Sequence, residues 1–134
     1  EAEGDIVLVV DALWRQKNPN PSSRTRDLVT CTEEFDSSYL GNEVVRLMNI
    51  AHDIPENEIH GEWIGLAKFS DVGIQKLREE IQKFSKSGGL ETASMTDLFE
   101  RLLQSRSEIR VEYIAGHWLD VDNSGDLSEA QKFL

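Results

Sequence analysis

The segment "GHWLDVDNSGDLSEAQKFL", Gly116 to Leu134, crowds Asp120, Asp122, Asp126 and Glu129 around a Ser-Gly pair. Carboxylates at this density are ligands for hard cations, and two chemistries compete for them. The first is a calcium loop of about twelve residues laid on Asp120. Asp120, Asp122 and Ser124 then occupy alternate ligand positions, with Gly125 at the turn and Leu127 at the apolar position. The closing position is Gln131, and a neutral amide cannot replace the bidentate carboxylate found there. The entering segment, with Tyr113, Gly116 and Trp118, reads as strand rather than helix, and no second loop pairs with it. The second chemistry is part of a magnesium site. Mg²⁺ takes one or two carboxylates and completes its shell with phosphate oxygens and water. Asp11 closes the apolar run "DIVLVVD", at a strand end, where open α/β sheets bind their ligands. Asp120 and Asp122 follow another strand, and residues i and i+2 share a strand face. If the two strands are neighbours, Asp11, Asp120 and Asp122 meet at one cation. Asp122 is then favoured as the direct ligand, with Asp120 acting through water or a second metal.

Other chemistry-bearing residues have plainer roles. Asp126 suits a helix N-cap, and Glu129 a solvated helix face. His52, His60 and His117 lack metal-ligand spacing. Cys31 has no sequence-near histidine to activate it and reads as a packed strand thiol. Arg15, Lys17, Arg24 and Arg26 flank Pro19 and Pro21 in what reads as a long, solvated loop, Arg15 to Asp27.

The elements that must position these residues follow from periodicity. Ile6 to Val10 is a continuous β-branched run, the pattern of a central strand covered on both faces in a parallel sheet. "LVTCTEEF", "NEVVRLMNIA" and Ile59 to Ser70 read as further strands. Asp71 to Ser85 carries Ile74, Leu77, Ile81 and Phe84 on one helical stripe behind Ser70 as N-cap, and Gly88-Gly89 ends it. Ser94 and Asp97 form a cap ahead of Met95, Leu98, Phe99, Leu102 and Leu103. Ile109, Val111 and Tyr113 alternate as a strand ending near Ala115-Gly116. A last helix begins at Asp126. The expected fold is α/β: one domain over residues 1–134, a Rossmann-like mixed, mainly parallel sheet with flanking helices.

Composition bounds the partners. With 134 residues and a net charge of −11, the chain disfavours nucleic acid and anionic membranes and favours cations or cation-borne ligands. A single cysteine permits no internal disulfide and fits a reducing cytoplasm. No apolar run is long enough to span a membrane, and "EAEGD" has no signal-peptide character. The absence of an initial Met is consistent with a piece of a longer chain.

Taken together, "GHWLDVDNSGDL", "DIVLVVDALW", "GEWIGLAKFS" and "SGGLETASMTDLFERLL" resemble, in order, the second half of a nucleotidyltransferase domain. The likeness is greatest to the cytidylyltransferase module associated with phosphonate biosynthesis and often fused behind a phosphoenolpyruvate mutase. It implies Mg²⁺-dependent transfer of a nucleotidyl group, with CTP the best candidate donor, to a phosphonate or phosphorylated small alcohol, with pyrophosphate released. It implies Asp11 and Asp122 as catalytic carboxylates and Asp11, Asp120 and Asp122 as metal ligands. It also places Glu62, Trp63 and Lys68 on the substrate strand. There a carboxylate and an aromatic suit a cationic amine, and a lysine suits a phosphonate. The family's glycine-rich phosphate loop lies upstream of the central Asp and has no counterpart in this sequence, so the N-terminal part of the domain is an expected partner. The alternatives are a non-catalytic acidic module built on residues 120–131, binding calcium or a partner, and a degenerate transferase half with a structural or regulatory role.

Overall fold

The computed structural model describes residues 4–17, 26–35, 44–116, 128 and 131. Five strands form one sheet: β1 (Ile6–Asp11), β2 (Leu28–Cys31), β3 (Leu47–Ala51), β4 (Gly61–Phe69) and β5 (Arg110–Ile114). The helices are the single turn α1 (Trp14–Lys17), α2 (Asp71–Ser87) and α3 (Met95–Gln104). The first residues of the segment read as a long loop are therefore helical. Ser128 and Gln131 are also helical.

The sheet order is β3-β2-β4-β1-β5. Only β1 and β5 pair in parallel; β1–β4, β2–β4 and β2–β3 are antiparallel. The α/β class holds, but the expected mainly parallel sheet does not. The continuous apolar run of β1 reports burial between β4 and β5, and burial is indifferent to strand direction. Ile6, Leu8 and Val10 are fully buried and pack with Phe99 and Leu102 of α3. The opposite face of β1 carries Val7 and Asp11, also buried.

Two local features fix how β4 lies on β1. The register moves from Leu8↔Ala67 to Val10↔Trp63, so extra residues of β4 bulge out around Gly65. Beyond the bulge, Gly61 lets the strands approach closely: a Cβ there would run into Val10 Cγ1 and come within 2.8 Å of the Asp11 carbonyl oxygen.

The ends of the strand order also meet. Arg46 bridges Arg110 in antiparallel fashion. Leu47 N–H donates to the Ile109 carbonyl at 2.8 Å, and Val111 N–H to that of Val45 at 2.9 Å. Glu108 accepts from Arg46 Nε at 2.8 Å and Arg110 Nε at 3.3 Å across this seam. The sheet therefore curls toward closure, and the residues leading into β3 cover the start of β5.

The caps of α2 and α3 are as their sequences indicate. Ser70 Oγ accepts from Gly73 N–H, and Ser94 and Asp97 form a reciprocal capping box. Among the described residues no helix is long and apolar enough to cross a membrane.

Candidate functional site

The C-terminal end of β1 gathers the groups with chemical potential. β5 finishes and β4 begins beside it; β2 begins beyond β4 and runs in the opposite direction, and β3 finishes against the start of β2. A row of Cα partners crosses this end: Ile114, Asp11, Glu62, Leu28 and Ala51. Asp11 is fully buried and Glu62 is 4% exposed. They are direct partners on adjacent strands, so two carboxylates stand side by side in the interior.

Asp11 is held by backbone. Its Oδ1 accepts from Leu13 N–H at 2.9 Å and from Gly116 N–H at 3.0 Å. The first bond closes the turn after β1, and the second clasps the residue where the chain leaves β5. Ala12 N–H donates to the Ile114 carbonyl at 2.9 Å, extending the ladder to the same point. Gly116 has φ 76°, a conformation that glycine adopts without strain and that turns its N–H onto the carboxylate. The acidic motif follows Gly116 in sequence.

Trp14, three residues beyond Asp11, has two cations near its ring. The guanidinium carbons of Arg15 and Arg26 lie 5.2 and 5.6 Å from the Trp14 ring centroid. Arg15 Nη2 also donates to the Glu56 carbonyl at 2.9 Å, linking α1 to the 3₁₀ turn Glu56–Glu58. Arg26, expected in a solvated loop, is only 8% exposed. Beyond it, His52 Nδ1 lies 2.8 Å from the Arg26 carbonyl oxygen and 3.6 Å from Asp27 Oδ1. Asp27 Oδ1 in turn accepts from the buried Thr96 hydroxyl of α3 at 2.9 Å.

The residues singled out by sequence divide into three groups. Asp11 and Glu62 are brought together. Asp120 and Asp122, with Trp118, His117 and most of the candidate calcium loop, lie outside the described residues. Trp63 and Lys68 are placed away from the pair. Trp63 points to the helical face, where its ring meets Phe99 edge-on at 5.1 Å and its Nε1–H donates to the Leu66 carbonyl. Alternation along β4 turns it from the face that carries Glu62. Lys68 sits opposite Val7, six residues from Glu62 and roughly 15–20 Å along the strand. Neither side chain joins a substrate site centred on Asp11.

The groups not singled out for this site are Arg26, Asp27, His52 and the clasping Gly116 N–H. The available signal was an Arg-Asp pair immediately ahead of the apolar start of β2, where a solvated loop gives way to a buried strand.

Cys31 is remote from this end and buried, as a packed thiol should be. Burial pushes its thiol up to about 11, against a smaller lowering by the hydrogen bond with Tyr113. His60 Nδ1 accepts the backbone N–H of Cys31 at 2.9 Å rather than contacting its sulfur as a base would.

Among the described residues no group of three or more His, Cys, Asp or Glu side chains is placed to hold a metal. A cation beside Asp11 would therefore draw further ligands from the acidic motif or from a substrate. No protein-family model matches the chain, and no curated protein matches it.

Proposed function

We propose that this chain is the carboxylate-bearing part of a nucleotidyltransferase domain, moving a nucleotidyl group, with CTP as donor, onto a phosphonate or phosphorylated small alcohol. The observation that carries the proposal is the clasp of Asp11 on Gly116. It ties a buried carboxylate to the start of the segment bearing Asp120 and Asp122. Those residues follow Gly116 by four and six positions, an extended reach of at most about 14 and 22 Å. Both carboxylates can therefore return to Asp11.

The acceptor oxygen attacks the α-phosphorus, an O–P bond forms, and the bond to pyrophosphate breaks. Bound Mg²⁺ supplies neutralisation of the phosphate oxygens and alignment of attacker and leaving group. Asp11 and Asp122 would hold it, with Asp120 acting through water. The two N–H donors on Asp11 fix its carboxylate in place, so little reorganisation accompanies the reaction. By the sequence resemblance, Glu62 beside it would meet an acceptor bearing an amine. On this reading a glycine-rich phosphate cradle would come from a preceding part of the domain, with which this chain would act.

The test is pyrophosphate release from CTP with a panel of phosphonate and phospho-alcohol acceptors, using the protein of the whole parent reading frame. Mg²⁺-dependent release should fall at least about a hundredfold in Asp122→Asn, since loss of several kcal/mol of charge stabilisation is expected. Full activity in that variant would remove the residue from the mechanism.

A further inference from the structure

Gly61 is buried at the start of β4, one residue ahead of Glu62, the Cα partner of Asp11. On its other side it pairs with Val29 of β2. Its backbone is not left-handed, so crowding alone speaks for glycine here. A Cβ would run into Val10 Cγ1 and stand 2.8 Å from the Asp11 carbonyl oxygen and 3.4 Å from the carbonyl carbon. Neither neighbour has room to give. Val10 is β-branched, fully buried and part of the core that holds Phe99 and Leu102. The Asp11 carbonyl is main chain, in a residue held on several sides. Its Oδ1 accepts Leu13 N–H at 2.9 Å and Gly116 N–H at 3.0 Å, and the next residue, Ala12, donates to the Ile114 carbonyl at 2.9 Å.

The close approach at Gly61 therefore sets how β4 lies on β1 at the row Asp11↔Glu62. We infer that Gly61 is a positioning residue for the reaction: its missing side chain sets the spacing of the two carboxylates and keeps Asp11 seated on its two N–H donors. The catalytic consequence rests on the nucleotidyl-transfer proposal. A methyl group at residue 61 must displace the Asp11 main chain, and hydrogen bonds weaken steeply as they lengthen and bend. A misplacement of about 1 Å costs up to about a hundredfold in rate. The loss falls on kcat rather than KM, because on that reading Asp11 acts on charge in the transition state while the triphosphate is cradled elsewhere.

Gly65 is the control. It lies in the same strand with φ 89°, and nothing stands within 4 Å of a Cβ there. Gly65→Ala strains β4 without pressing on β1. Wild type, Gly61→Ala and Gly65→Ala are compared as the isotopically labelled protein of the whole parent reading frame. Both substitutions should lower the urea midpoint. Only Gly61→Ala should shift the Leu13 and Gly116 amide protons upfield, as their bonds to the carboxylate lengthen. Only Gly61→Ala should lower kcat for Mg²⁺-dependent pyrophosphate release, at least about tenfold, with KM for CTP changed by less than about twofold. Where Gly61→Ala does not fold, its combination with Val10→Ala relieves the clash at Cγ1, keeps the contact with the Asp11 carbonyl, and is read in the same way. An unmoved Gly116 amide in a folded Gly61 variant, or an equal loss of kcat in Gly65→Ala, overturns the inference. Absence of turnover in the wild type counts against the nucleotidyl-transfer reading instead, and the amide shifts still decide whether Gly61 seats Asp11.

Discussion

Asp11 is fully buried, and its Oδ1 accepts two backbone N–H groups. Asp11→Asn keeps an acceptor but removes the charge, replacing charge-assisted bonds with neutral ones. A loss of about 1–3 kcal/mol in urea unfolding should result, together with loss of any Mg²⁺ response at the Gly116 amide. The competing cation chemistry is separated by calorimetry. A closed calcium loop binds on its own, whereas carboxylates that need nucleotide oxygens bind weakly. Ca²⁺ affinity should be no tighter than about 0.1 mM. Micromolar binding abolished by Asp120→Ala would establish a calcium site instead. Cys31 gives a pH prediction. Its folded value is raised from 9.0 to about 11, so its stabilising contribution is complete below pH 9 and is lost as pH rises through 11. Stability should fall in that window, and Cys31→Ala should flatten the slope even if the cavity it leaves lowers stability throughout. The position of Asp11 was legible because it ends an apolar strand. The roles of Arg26 and His52 were not: the contact that defines them joins residues 26 apart in sequence. Nothing local marks a histidine whose partner arrives from another strand.

At the scale of elements, α2 and α3 were readable because their signals are local: an apolar stripe, a serine cap, a glycine stop. What joins them was not. Glu80, within the charged run "REE", is 4% exposed. It accepts from the Ser105 hydroxyl beyond α3 at 2.6 Å and from Lys83 Nζ at 3.2 Å. Burial alone would raise its carboxyl, but the bonds from Ser105 and Lys83, with the charges of Lys83 and Arg101, bring it below its ordinary 4.5. A lowered folded value gives stability that is present above 4.5 and lost as pH falls through the folded value. Glu80→Gln should therefore cost about 1–2 kcal/mol at pH 7 and narrow the gap between pH 7 and pH 3, read by urea unfolding at both. Strand direction was the element-scale property that periodicity could not supply. Alternation and apolar runs record which faces are covered, and both are the same for either direction.

Among the described residues the first and last members of the sheet in the spatial order touch, α3 packs on one face, and the candidate chemistry lies at the end of β1. Glu108, clamped by Arg46 and Arg110 across the seam, has its carboxyl held below the ordinary range by the Arg46 hydrogen bond, against an upward push from burial, with lesser help from the charges of both arginines. The group is well exposed, so Glu108→Gln should scarcely alter global stability. It should instead speed hydrogen exchange at the Leu47 and Val111 amides, and high salt should mimic it. At this scale the proposed function, with its cradle in a preceding part of the domain, also predicts that residues 1–134 alone release no measurable pyrophosphate, because positioning supplies most of phosphoryl-transfer catalysis. Robust turnover by the chain alone would show that the triphosphate is held by groups within it. The clasp of Asp11 on Gly116 has a kinetic consequence as well. Its partners are 105 residues apart, and β1 pairs only with β4 and β5. During synthesis from the N-terminus, "IVLVV" emerges long before either neighbour exists. It must wait, unpaired and apolar, until β4 and then β5 have been made, exposed meanwhile to association with other nascent chains. The clasp forms only after β5, and an interrupted chain ending before β5 would present a sticky strand in place of a fixed carboxylate.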